Sequence, residues 1–286
     1  MKKNNKLSSK VVTFLGFGGP SVILFSCVVL LPFIYGIYLT FTGWDGISSK
    51  IPFVGFENYS RLFQDKEFWV SLGKTILYAL ISVILANVVA FLLAYLVTSK
   101  IKGSNFFRAA FFTPNLIGGI VLGYIWQLII NGVLAFFKTT LTVKASYGFW
   151  GMVIAMNWQM IGYMMVIYIA AIQNISEDVK EAALIDGVNR RQMVTKIILP
   201  LIMPAITICL FMTTTNAFKM FDLNLALTAG LPGKSTSLVA LDIYNSFYNR
   251  MGYEGIGQAK AVLFLLIVAA ISVTQLVVTR RKEVES

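Results

Sequence analysis

Six apolar runs constrain this chain more than any other feature: Val11–Thr40, Phe68–Thr98, Phe106–Ile130, Tyr147–Gln173, Ile197–Thr228 and Ala261–Thr279. Each is at or near the ~20 residues a helix needs to cross the hydrocarbon of a bilayer. Where no water can satisfy backbone groups, such a run folds as a helix. The sequence therefore predicts an all-α membrane protein with six transmembrane helices in one domain, residues 1–286. Composition agrees, since 57% of the residues are hydrophobic and only 13% are charged, too apolar for an ordinary soluble domain. The first run is too long for a signal-peptide core and ends in no small-residue cleavage site, so it is expected to stay as the first membrane helix.

The net charge of +11 does not point to nucleic acid, because the cations collect at the edges of apolar runs and form no stripe interleaved with aromatics. Lys2, Lys3, Lys6 and Lys10 precede the first run. Lys100 and Lys102 lie between the second and third, with Arg108 just beyond them, Lys180, Arg190, Arg191 and Lys196 between the fourth and fifth, and Arg280, Arg281 and Lys282 follow the last. By the rule that short cytoplasmic loops hold the excess of Lys and Arg, both termini and the Ser176–Pro204 segment are expected on the cytoplasmic side. The chain has no histidine, and Cys27 and Cys209 fall in different apolar runs. That leaves no material for a disulfide framework, a transition-metal site or histidine acid–base chemistry, so an enzyme is not expected.

The polar segment Ser176–Pro204, SEDVKEAALIDGVNRRQMVTKIILPLIMP, interrupts two apolar runs and predicts a helix, a turn and a second helix. Ser176 is placed to cap a first helix whose opening turn holds Glu177 and Asp178, next to the positive end of the helix dipole. Gly187 is a natural left-handed stop, and Asn189 followed by Gln192 has the form of a capping box. Met193, Val194, Ile197 and Ile198 give the second helix an apolar stripe, and Pro200 and Pro204 mark where the fifth membrane helix begins.

Glu181, Ala182 and Ala183, then Asp186 and Gly187, then Ile197, Leu199, Pro200 and Pro204 resemble the EAA loop of the permeases of binding-protein-dependent ABC importers. TGWDG at Thr42–Gly46, FVGFENYSRLFQDKEFW from Phe53, Phe112, Pro114 and Trp126, TAGLPG from Thr228 and the terminal RRKEVES are similar to the first permease of the paired carbohydrate importers, the maltose, multiple-sugar and sn-glycerol-3-phosphate type. The resemblance implies the type I importer permease fold in a bacterial cytoplasmic membrane, with 176–204 as coupling loop. It also implies a second permease, two ATPase subunits that hold ATP and magnesium, and an extracytoplasmic solute-binding protein, with no cofactor bound by this chain itself. Glu181, Ala182, Ala183, Asp186 and Gly187 would then dock in a cleft of the ATPase. Closure of the ATPases would drag that helix and tilt the membrane helices in alternating access.

Polar side chains within membrane helices are costly unless they face water or a partner. Asn157, Trp158, Gln159 and Tyr163 in the fourth run, and Thr213, Asn216 and Met220 in the fifth, are therefore candidates for the solute path. Spacing i, i+3, i+7 places the last three on one stripe. Hydrogen bonding between Thr213–Asn216 and the second permease is the competing expectation. Lys219 and Asp222, roughly 30 Å along a continuous helix from Pro200, are expected to snorkel to the outer interface. The expected cargo is a sugar or oligosaccharide, with sn-glycerol-3-phosphate or another polyol as the alternative. An ion-coupled secondary transporter fits less well, because the only acid in these runs is the peripheral Asp222.

Overall fold

The computed structural model describes residues 16–48, 51–99 and 103–283. Lys2, Lys3, Lys6, Lys10, Lys100, Lys102 and the last three residues, on which part of the orientation and of the resemblance rests, lie outside the described residues. The described residues are helical, and the β-type pairing among them is one isolated bridge between Thr42 and Phe53. Four helices are long and apolar enough to span a membrane, and two sharply bent pairs bring the total to six if each pair is one span. The chain divides into two compact units, the first of residues up to Asp65 with Ile243–Leu263 and the second of Lys66–Asp242 with the residues from Phe264 on.

In the first unit, α1 spans Gly19–Leu39 and shows most of its apolar side chains on its surface, Phe25, Val28 and Ile34 among them. Its middle, Ser26–Leu30, is π-helical, and the reason stands two residues further on. Pro32 has no N–H to return to the turn before it, so the ladder loosens there. A short helix α2, Glu57–Gln64, then folds back. Asn58 on α2 donates to the carbonyls of Thr40 and Thr42 at 2.9 and 2.8 Å, closing the end of α1 as an ordered cap. Lys260 is fully buried in this unit, where it pairs with Asp65 at 2.8 Å and donates to the Ser246 hydroxyl at 3.1 Å.

The second unit is built on α3, Lys66–Thr98, packed along α6, Ala145–Gln173. Small residues let the two backbones approach, as they do between helices in lipid. Ala79, Ala86, Ala90 and Ala94 of α3 are all buried against a core that includes Met152, Met156, Met164 and Tyr168 of α6. The third apolar run is not one straight helix. It divides into α4, Ser104–Phe112 with a 3-10 turn to Leu116, and α5, Gly119–Ala135, bent by 105°. Pro114 and the extended residues Ile117 and Gly118 make the break.

The fifth run also departs from the expected single span. After α7, Glu177–Ile185, helix α8 covers Arg190–Leu201 with a π-helical stretch at Met193–Ile198 ahead of Pro200. A bend of 74° at Ile202 precedes α9, Met203–Phe218, which has Pro204 in its first turn. The chain leaves α9 at Lys219 and re-enters a short buried helix, α10, Asp222–Leu227. Lys219 and Asp222 are therefore not carried outward on a continuous helix: Asp222 opens α10 beside Gly119 of α5, where a Cβ on the glycine would stand 2.8 Å from the Asp222 Cβ. Asn224 then pins the following loop, donating to the Thr228 hydroxyl and the Thr236 carbonyl and accepting from the Leu238 amide. The segments α11, Val239–Tyr248, and α12, Glu254–Arg280, complete the chain.

Candidate functional site

The loop from Ser176 to Pro204 forms a helix–turn–helix. Glu177 and Asp178 sit in the first turn of α7, while the Ser176 side chain makes no capping bond. Gly187 adopts φ of +76°, which only glycine takes without strain. Its amide bonds the Leu184 carbonyl at 3.1 Å, and the Val188 amide reaches back to Ala183 at 3.0 Å, the pair of bonds that defines a Schellman stop. Asn189 and Gln192 form the reciprocal capping box, with bonds of 2.9 and 3.0 Å between each side chain and the other's backbone amide. The Schellman bonds and the capping box thus end one helix and start another within a few residues, which constrains the angle between α7 and α8.

Within α7, Glu181, Ala182 and Asp186 are exposed, as is Gly187. Ala183 is buried against its own chain, so it supports α7 from beneath, and Ala182 is the small residue left on the outer surface. Beside them, Leu184 is 63% and Ile185 86% exposed. Sequence reasoning passed over these two aliphatic residues, although ALI within a charged loop was their signal. An exposed apolar edge flanked by Glu181 and Asp186 has the composition of a docking surface for another protein.

The proposed solute-path residues do not form one face. Thr213 is fully buried and donates to the Cys209 carbonyl. It also accepts from Asn87 Nδ2 at 2.9 Å, while Asn87 Oδ1 accepts from the Tyr168 hydroxyl at 2.7 Å. Asn216 is exposed, and Met220 lies beyond the end of α9, packed against the core. The expected Thr213–Asn216–Met220 stripe is absent because Thr213 points inward and the helix stops at Phe218. On α6, the Gln159 amide donates to the Ile117 carbonyl at 2.9 Å, filling a bond left open where α4 and α5 break. Asn157 is buried, with its amide given to Val153 and its Oδ1 without a partner. Trp158 is 42% exposed with its ring edge-on to Trp126, and Tyr163 is half-buried near Phe112. Asn87 and Tyr168 were missed by sequence reasoning, though an amide in the apolar run ANVVA met the criterion applied to the other helices.

Among the described residues no group of three or more His, Cys, Asp or Glu is placed to hold a metal ion. Apolar helices of spanning length and a polar helical loop with an exposed apolar edge define an integral membrane protein. The chain belongs to the family described as "Binding-protein-dependent transport system inner membrane component", whose model matches residues 86–284. It is thus a multi-pass membrane protein of the permease class. It is 44% identical, over 100% of both chains, to the "Probable starch degradation products transport system permease protein AmyD" of Thermoanaerobacterium thermosulfurigenes. It is 29% identical, over 88% of this chain and 90% of the other, to the "Multiple sugar-binding transport system permease protein MsmF" of Streptococcus mutans serotype c. Its fold superposes with a TM-score of 0.82, at 18% identity and 98% coverage of both chains, on a chain of a bacterial alginate ABC transporter solved in complex with its alginate pentasaccharide-bound periplasmic protein.

Proposed function

We propose that this chain is one of two permease subunits of an ATP-driven importer that carries a sugar or oligosaccharide across a bacterial cytoplasmic membrane. The observation that carries the reading is the 44% identity, end to end, with a permease named for starch degradation products. The multiple-sugar relative points the same way and favours a saccharide over sn-glycerol-3-phosphate or another polyol. Membership of the permease family removes the need for an ion gradient. Both termini and α7 lie on the cytoplasmic side in this reading. The grouping of Arg108, Lys180, Arg190, Arg191, Lys196, Arg280, Arg281 and Lys282 supports that orientation.

The chain binds no cofactor; two ATPase subunits hold ATP and magnesium, and an extracytoplasmic solute-binding protein delivers the cargo. In each ATPase cycle α7 is the part that is pushed. Leu184 and Ile185 enter an apolar cleft, Ala182 allows close approach, and Glu181 and Asp186 set register. The Schellman turn and capping box transmit the push into α8 as a rigid body. The bend at Ile202 passes it to α9. Exposed Trp158 and Asn216 and half-buried Tyr163 are the side chains left to meet solute or the second permease, whereas Thr213 and Gln159 hold helices together. The test is ATPase activity of the reconstituted complex, stimulated by loaded binding protein against a panel of maltodextrins, other oligosaccharides, monosaccharides and polyols. Stimulation by a maltodextrin or other saccharide is expected; stimulation by polyols alone overturns the cargo assignment.

A further inference from the structure

Behind α7 lies a cavity of about 500 Å³, between the ends of α3 and α6 and the two helices of the loop. Its size falls in the range of small-molecule sites. Ile172, Leu184, Met193 and Ile198 contribute apolar lining, and Gln173, Glu177, Lys180 and Arg190 contribute polar groups. The hydroxyls of Thr98 and Ser99 also line it, but their protons are already given to the carbonyls of Ala94 and Tyr95. Donors left for a ligand are therefore the two cations, the Gln173 amide and the Tyr95 hydroxyl. Among the described residues no side chain bonds the exposed Arg190 guanidinium, and Lys180 is held by Glu177 at 3.0 Å, a carboxylate 80% exposed. An exposed pair of this kind is weak and easily exchanged for a better anion.

The geometry points to this cavity as a binding site for a phosphate-bearing ligand with an apolar body. Lys180 comes from α7 and Arg190 from α8, so one phosphate can bridge the two helices across the Gly187 turn. Phosphate suits this pair: the guanidinium fork binds two of its oxygens and the ammonium acts as a point charge on a third. The apolar lining takes the organic part. Leu184 lines the cavity as well, so occupancy stiffens the loop from within and leaves Ile185, 86% exposed, free on the outer edge. Its effect on transport rests on the reading of α7 as the coupling element, but binding does not.

The two sources of such a ligand, a headgroup of an anionic phospholipid and a soluble phosphate ester, are separated by one experiment on the full chain. The chain is placed in nanodiscs of phosphatidylcholine alone, of phosphatidylcholine with phosphatidylglycerol, or of phosphatidylcholine with phenyl phosphate titrated in solution. Amide hydrogen exchange over residues 177–201 reads occupancy. Saturable slowing is expected in at least one of the last two conditions, and which one identifies the source. Arg190→Gln and Lys180→Gln weaken the effect on the order of tenfold or more, as loss of a charge-assisted bond should, while Lys180→Arg retains it. Arg191→Gln, which removes the same charge outside the cavity, leaves it unchanged. Absence of saturable slowing in both conditions, or an equal loss in Arg191→Gln, overturns the site. The coupling reading stands or falls separately, on the Gly187 series below.

Discussion

Replacing Gly187 isolates the contribution of one backbone angle. A Cβ at this position would meet nothing within 4 Å, and φ is +76°, so the cost of a side chain is conformational and not steric. For an ordinary L-residue the left-handed region costs roughly 1–2 kcal/mol, and asparagine, which visits it more readily, lies below that. Gly187→Asn is thus expected to populate the native turn nearly fully. Gly187→Ala should shift the local open–closed equilibrium by about 5–30-fold. Gly187→Pro is worse on two counts, since its ring holds φ near −65° and it removes the N–H that bonds Leu184. Hydrogen exchange over residues 183–193 of the chain, and solute-stimulated ATPase activity of the assembled complex, should both rank Gly, Asn, Ala, Pro. An alanine variant that exchanges and couples like glycine, or an asparagine variant worse than alanine, refutes the argument. A ranking seen in exchange but missing from coupling would mean that the turn is structural only.

Three further outcomes follow from the same structure. Lys260→Met removes the ion pair to Asp65, which is 13% exposed, and should cost about 3 kcal/mol in denaturant or thermal melts in detergent, with Asp65→Asn in the same chain restoring much of it. The Asp45 carboxylate, in the loop after α1, accepts bonds from the Ser48 hydroxyl and the Ser48 and Ile47 amides, which hold its pKa down at about 2. Because the folded value is lowered, the turn's order is fully present above the ordinary value of 3.8 and is lost as pH falls through about 2; Ser48→Ala should raise the Asp45 midpoint in a carboxyl NMR titration, and an unmoved midpoint refutes the assignment. Gly162 lies so close to the Phe111 carbonyl that a Cβ has no room, so Gly162→Ala should collapse the yield of folded protein while Gly132→Ala, with nothing within 4 Å, does not, as size-exclusion profiles will show.

Much of the loop could be read in advance because its signals are local. A glycine that needs positive φ, an Asn-x-x-Gln box and acids in a first turn each act within a few residues, and Gly187, Asn189 and Gln192 hold those places in the structure. The apolar runs were legible for the same reason. What escaped was set by tertiary partners. Hydropathy marks Phe106–Ile130 and Ile197–Thr228 as continuous, but Pro114 and Pro204 break them, and the exposed carbonyl at Ile117 is tolerated only because Gln159 from another helix reaches it. Likewise a threonine in a membrane helix looks like a lumen residue until its partner is known, and the partner of Thr213 is Asn87, 126 positions away.

That pairing gives the last test, which separates holding from transport. Asn87 spends one amide proton on the Val83 carbonyl, the other on the Thr213 hydroxyl, and its oxygen on Tyr168. Helices α3, α6 and α9 therefore meet at one amide. Thr213→Val keeps the shape but leaves one Asn87 donor without an acceptor in an apolar surround, a loss of about 1–2 kcal/mol, at the lower end if the helices relax as bonds in lipid often do. Asn216 donates only to the Met212 carbonyl one turn back and is otherwise exposed, so Asn216→Ala removes nothing that holds the fold. The two variants should diverge: Thr213→Val lowers the melting temperature with cargo preference unchanged, and Asn216→Ala alters uptake or permease pairing at unchanged stability. If Thr213→Val instead changes the cargo profile at full stability, its hydroxyl reaches the solute in another state of the cycle, and the assignment of Asn87, Thr213 and Tyr168 as a purely internal brace is wrong.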